Sequence, residues 1–219
     1  MPTFGFSAFL KMLSLSDRRQ RSEMRKRLLP SDGTGYDFHR QFRLLAHRYL
    51  SGGEDLQILL SEAANYRNVA EGRSAQEAML FLEEWRDEMT GSLLSFEPKT
   101  WESAEGVFKV KYTPDFGIEI DGVSVAVHLW TTKAPALDAR MTYVALSLFA
   151  ELYAGEADSP QDLAVLSVLD GRLYRLSDVD DQSVLAGRVM NSIENLIDDL
   201  NDEITPPPSL PGDQPGVHG

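Results

Sequence analysis

In the stretch TPDFGIEIDGVSVAVHLWTTK, residues 113–133, four side chains have types and spacing that could carry chemistry: Asp115, His128, Trp130 and Lys133. Asp115 follows Pro114 at the head of one alternating apolar run. His128 and Trp130 stand two positions apart at the end of the next, so they share one face of a strand. A carboxylate and an imidazole together are a donor pair for a softer divalent ion, which makes Asp115 and His128 a weak candidate metal site. Each residue also has a plain structural role. An acid after Pro is what a strand-entry turn contains. A His on a half-buried strand is most often hydrogen-bonded packing, and a Trp there is most often core under the following helix. Glu119 and Asp121 lie at the hairpin and read as solvated.

Other chemistries have little support along the chain. There is no G-x-S-x-G, no phosphate loop ending in Lys-Ser/Thr and no G-x-G-x-x-G. His39 and His47 stand eight positions apart on an expected helix, too far for a helical zinc pair, and His218 is in the C-terminal tail. No nucleophile and base are paired by spacing. Cys is absent, which removes disulfides, thiol nucleophiles and zinc-thiolate sites together.

The elements that must position these residues are legible from periodicity. Apolar positions recur at spacings of three and four through the first ninety residues, as at Phe38, Phe42, Leu45 and Tyr49. Helices are expected over DRRQRSEMRKRLL, YDFHRQFRLLAHRYL, EDLQILLSEAANYRN and SAQEAMLFLEEWRDEM, with breaks at LPSDGTG, SGG and EGR and caps at Asp37, Ser51 and Ser74. From about residue 104 the period becomes alternating: VFKVKY, FGIEI and VSVAVHLW read as strands. Asp121-Gly122 between the last two is a type I′ hairpin signal. LDARMTYVALSLFAELYA follows as a helix apolar on most of its surface, then DLAVLSVLDGRLYRLS with a second Asp-Gly turn. Residues 178–204 read as a last amphipathic helix with Val184, Val189, Ile193, Leu196, Ile197 and Leu200 on one stripe. Five Pro and three Gly in the last fifteen residues predict a disordered or extended tail.

Charge is uneven. Residues 1–50 hold 10 Lys+Arg against 4 Asp+Glu, whereas the whole chain holds 21 against 34. A strongly acidic body repels nucleic acid phosphates, so nucleic acid contact is expected only through the basic N-terminal segment. That segment also reads as a solvated helix lying against its own acidic body. No apolar stretch approaches the ~20 residues of a membrane span, so membrane association is not expected. Without a basic region before the apolar start or a small-residue cleavage site after it, the expected compartment is cytoplasmic.

The order helix, hairpin-joined strands, helix, strand over roughly residues 74–176 resembles the core of the PD-(D/E)xK nuclease superfamily, particularly its RecB-like branch. The resemblance implies an acid on one hairpin strand and a (D/E)-x-K triplet on the next, together holding Mg²⁺ and orienting the attacking water. Pro114-Asp115 stands where the first acid would be, and the triplet falls on His128-Leu129-Trp130, with Thr131 after it. His128 thus replaces the second carboxylate and Trp130 the lysine, removing one hard oxygen ligand and the charged partner of the water. The family's Q-x-x-x-Y pattern falls on Ala139 and Tyr143, and only the Tyr remains. Asp115, His128 and Trp130 are expected to be neighbours around one cleft.

The fold class expected is α/β (α+β): a small mixed sheet with a β-hairpin, flanked by helices. Residues 1–90 are expected to pack as a helical segment on a nuclease-like core at 91–204, with a tail at 205–219. The first functional expectation is a catalytically degenerate binding or assembly module with a protein partner and no cofactor. The second is a divergent nuclease using Mg²⁺ or Mn²⁺ with Asp115, Glu84 or Glu88, and a relocated Lys133. The third is an unrelated α+β interaction module.

Overall fold

The computed structural model describes residues 1–29, 38–156 and 158–204. The tail expected from Thr205 onward, and the expected cap at Asp37, lie outside the described residues.

The chain is a mixed α/β fold with two small sheets. Strand β1 (Thr3–Gly5) leads directly into helix α1 (Phe6–Leu13), and α2 (Asp17–Leu28) follows. Three further helices are α3 (Arg40–Gly52), α4 (Leu56–Ala64) and α5 (Val69–Glu88). Strands β2 (Leu93–Leu94), β3 (Lys99–Glu102), β4 (Lys109–Tyr112), β5 (Phe116–Ile120) and β6 (Val123–Trp130) precede α6 (Ala139–Tyr153). Strands β7 (Asp162–Ser167) and β8 (Arg172–Arg175), a single 3-10 turn (Leu176–Asp178) and α7 (Ser183–Ile204) complete the described chain. The larger sheet has the order β2-β5-β6-β7-β8, in which β6 and β7 are parallel and the other pairs antiparallel. The smaller has the order β1-β4-β3.

The alternation of β6 divides the interior in two. Ala126 and Trp130 face a core built with α1, α6 and α7, while Val125, Val127 and Leu129 face a core built with α3, α4 and α5. Both faces of the sheet are therefore covered, which explains the continuous burial of β6 from Val125 to Trp130. The Asp-Gly turn joining β5 to β6 forms as expected, with Asp121 at φ 52° and Gly122 at φ 78°.

Several expectations are corrected. The first ninety residues are not all helix: β1 pairs in parallel with β4, from Thr3 opposite Lys109 to Gly5 opposite Lys111. A three-residue strand is too short to show periodicity. Ser51 and Ser74 lie inside helices, and the caps are Asp55, whose carboxylate accepts the Gln57 N–H at 2.8 Å, and Asn68, which accepts the Ala70 N–H at 3.1 Å. The expected break at Glu71-Gly72-Arg73 is within α5. Gly72 is there for contact, because a Cβ on it would stand 2.3 Å from the Ala63 carbonyl oxygen of α4. Gly72→Ala is expected to lower stability by about 1–3 kcal/mol, since backbone rather than a flexible side chain must yield; chemical denaturation of the two proteins measures it. On α7, Val184 is exposed, while Ile193, Ile197 and Leu200 are buried.

The basic helix α2 lies against the acidic end of α7. Arg21 and Arg25 both pair with Glu203, and Arg21 reaches Asp199 at 3.9 Å. The self-packing expected of this segment is thus present, although exposed pairs of this kind contribute at most about 1 kcal/mol each.

Candidate functional site

The site forms where β1 turns into α1 and where β4 passes into β5. The Asp115 N–H donates to the Val127 carbonyl at 2.8 Å, beside the Phe116–Val127 pair that ends the β5–β6 ladder, and so brings the Asp115 side chain beside His128. Asp115 Oδ2 accepts the Leu129 N–H at 2.7 Å and lies 3.1 Å from His128 Nδ1. Phe6 packs edge-on against the imidazole with ring centroids 5.1 Å apart, and against Tyr112 and Phe149. This aromatic contact seats the first turn of α1 over β6 and brings Ser7 Oγ to 2.7 Å from His128 Nε2. Burial pushes the Tyr112 phenol well above its ordinary range; it stays protonated and donates to the Ala126 carbonyl at 2.9 Å.

The partners of His128 decide its tautomer. Nδ1 faces two acceptors, Asp115 Oδ2 and the Thr113 carbonyl at 3.2 Å, so Nδ1 carries the proton. Nε2 is then an acceptor, and the Ser7 hydroxyl donates to it. Arg43 Nη1 donates to Ser7 Oγ at 3.3 Å, which leaves the hydroxyl proton for the imidazole. His128 is buried, Asp115 and Ser7 are half-buried, and all three line a cleft of about 700 Å³.

Among the described residues lining that cleft, Lys11, Arg27, Arg43 and Lys111 are cationic and Asp115 is the carboxylate. Three of these cations come from the basic first fifty residues and the fourth from β4. Arg27 also reaches Glu23 at 3.4 Å.

Of the four residues singled out in the sequence, Asp115 and His128 meet in the cleft. The expectation that Trp130 joins them is corrected: it is 1% exposed within the apolar core and does not line the cleft. It shares the face of His128, but that face is covered by helices at its far end. Lys133 is exposed, stands 3.9 Å from Glu77 and is not part of the cleft lining. Glu84 and Glu88 are exposed on α5, whose buried Leu82 and Trp85 face the opposite core, and neither lines the cleft. Tyr143 on α6 pairs with the Tyr174 ring at 6.1 Å, away from the cleft lining.

Among the described residues, the donors at the cleft do not make up the oxygen ligand set of Mg²⁺ or Mn²⁺. Such ions take several oxygen ligands. Among the described residues no group of three or more His, Asp or Glu side chains converges, and Asp115 Oδ2 is already engaged by Leu129 and His128. Both imidazole nitrogens of His128 have partners, Asp115 and Thr113 on one side and Ser7 on the other.

Ser7 carries no signal in the sequence, and Lys11, Arg43 and Lys111 carry none individually beyond the basic bias of the first fifty residues, which Lys111 lacks. A lone Ser in an apolar stretch has no spacing partner, and isolated cations read as solvated surface.

Fold and site together define a mixed α/β protein with a cation-lined cleft over a Ser-His-Asp contact. No family model matches the chain, and no curated protein matches it. One solved structure, described as "Crystal structure of SSO0001", is similar at 15% sequence identity and a TM-score of 0.31, over 90% of this chain and 86% of that one. At that level neither fold nor activity is transferred. Among the described residues, no helix is long and apolar enough to cross a membrane.

Proposed function

We propose that the chain is a binding module whose cleft receives an acidic segment of a protein partner, in the place where a PD-(D/E)xK-like nuclease would hold its metal. The observation that carries this reading is the charge of the cleft: four cations against a carboxylate already engaged within the protein. Lys11 and Lys111 form no ion pair or hydrogen bond with a described residue, so their charge is available to a ligand. The net charge of −13 disfavours a long duplex, whose phosphates would run past the cleft onto the acidic body. A short acidic segment meets only the local positive field. The metal-dependent nuclease is the weaker alternative, because its ligands, its lysine and its second acid are not gathered at Asp115.

Fluorescence anisotropy with a labelled oligoglutamate peptide and an oligothymidylate of equal charge tests the proposal. The peptide is expected to bind, to weaken with salt, and to lose about tenfold or more in affinity in the Lys11→Glu/Lys111→Glu variant, since each reversal turns a favourable contact into an unfavourable one. Tighter binding of the oligonucleotide would transfer the cleft to nucleic acid. Peptide affinity indifferent to the double reversal would remove the cleft as the docking place.

A further inference from the structure

We infer that Ser7 is a nucleophile, activated by His128 and Asp115, and that the cleft hydrolyses esters whose acyl group carries an anionic substituent. Three contacts carry the inference: Ser7 Oγ to His128 Nε2 at 2.7 Å, His128 Nδ1 to Asp115 Oδ2 at 3.1 Å, and Arg43 Nη1 to Ser7 Oγ at 3.3 Å. A hydroxyl is a weak nucleophile until a base removes its proton, and that base must be held in the correct tautomer by a third group. Here the tautomer follows from the acceptors at Nδ1, which leave Nε2 directed at the hydroxyl. Asp115 is itself fixed by the Leu129 N–H. This arrangement differs from the metal chemistry implied by the sequence resemblance, and it uses a residue outside the hairpin.

The surroundings supply what acyl transfer requires. Ser7 is in the first turn of α1, where backbone N–H groups have no intrahelical partner, and the N-cap residue Gly5 contributes no side-chain cap. The Arg43 guanidinium, 3.3 Å from Ser7 Oγ, and these N–H groups would stabilise negative charge developing beside Ser7. The cleft is open to ligand and lined by Lys11, Arg27 and Lys111, which select a substrate bearing an anionic group.

The step balances without any other reactant than water. Ser7 Oγ bonds to the ester carbonyl carbon as its proton passes to His128 Nε2. The carbon–oxygen bond to the alcohol breaks, and the imidazolium returns the proton to the departing oxygen. Water then repeats the sequence on the acyl-serine, releasing the carboxylic acid and restoring the hydroxyl. Asp115 positions the imidazole and stabilises its charged form.

The test is phosphonylation of the full-length protein by a fluorophosphonate, followed by intact mass and peptide mapping. One adduct is expected, on Ser7, absent in Ser7→Ala and formed about tenfold or more slowly in Asp115→Asn. The chain contains no cysteine, so Ser7→Cys introduces a unique thiol. Its alkylation by iodoacetamide at pH 6 is expected to exceed that of free cysteine by about tenfold, since a neighbouring imidazolium and a helix N-terminus favour the thiolate. Failure of Ser7 to form the adduct, or an adduct rate undiminished in Asp115→Asn together with ordinary alkylation of Ser7→Cys, overturns the inference. The preference for anionic esters rests on the binding proposal, and the two fail separately. Peptide binding without an adduct removes the nucleophile and spares the docking site. An adduct in a chain that binds no acidic peptide supports the nucleophile and removes the docking site.

Discussion

Trp130→Ala is expected to lower the free energy of unfolding by about 3–5 kcal/mol, the usual cost of emptying a buried aromatic site, while leaving acidic-peptide binding unchanged. Trp130 is 1% exposed, and its backbone carbonyl accepts the Val168 N–H at 2.9 Å, so the strand around it is held independently of the indole. The loss is therefore a packing loss: a cavity between β6 and the helices that cover it. Urea denaturation of the variant beside the parent protein measures it. A change below about 1 kcal/mol with loss of peptide binding would instead place the indole at the ligand surface.

Phe6→Ala is expected to have a stability cost of the same size, about 3–5 kcal/mol, and in addition to disable Ser7. At about 2–4 °C per kcal/mol for a domain of this size, the melting temperature should fall by roughly 6–20 °C. The ring stands edge-on to His128, Tyr112 and Phe149 at centroid distances of 5.1, 4.8 and 5.5 Å, and it immediately precedes Ser7 on α1. Without it the first turn of the helix is free to shift, and hydroxyl reactivity depends steeply on placement. Phe9→Ala is the control: Phe9 is equally buried on the same helix but packs against Phe108. Thermal melting and fluorophosphonate labelling of both variants separate the effects. Equal loss of labelling in both would mean that general loosening of α1, rather than the Phe6–His128 contact, governs Ser7.

The long periodic elements are legible in the residue pattern alone. Helices α2, α3, α4, α6 and α7 lie within or close to their expected spans, and the β5–β6 hairpin turns on the expected Asp-Gly pair. Nine or more residues of one period average over individual exceptions. Short elements do not: β1, β2 and β3 have two to four residues each and leave no periodic trace. The start of α5 is hidden by Gly72, because a glycine needed for close helix approach has the same letter as one needed for a turn. Asp115 and His128 are legible as a pair because both belong to one hairpin, whose register follows from its two-residue turn. Parity with His128 points Trp130 toward the cleft as well, but parity fixes the face of a strand and not what covers each end of that face.

What the sequence by itself determined is the α/β class, the hairpin that brings Asp115 to His128, and the contrast between a basic beginning and an acidic remainder. Each depends on neighbours within one element or one tight turn, or on composition alone. Tertiary structure alone decided the rest. Ser7 and His128 are 121 positions apart, and they meet because β1 pairs with β4 and Phe6 packs on the imidazole. Lys11, Arg27, Arg43 and Lys111 became one charged cleft because α1, α2, α3 and β4 converge there. Contacts between distant segments depend on which apolar surfaces cover one another, and hydrophobic burial is non-directional. Local pattern therefore states which face is buried, and the packing of the whole chain states against what.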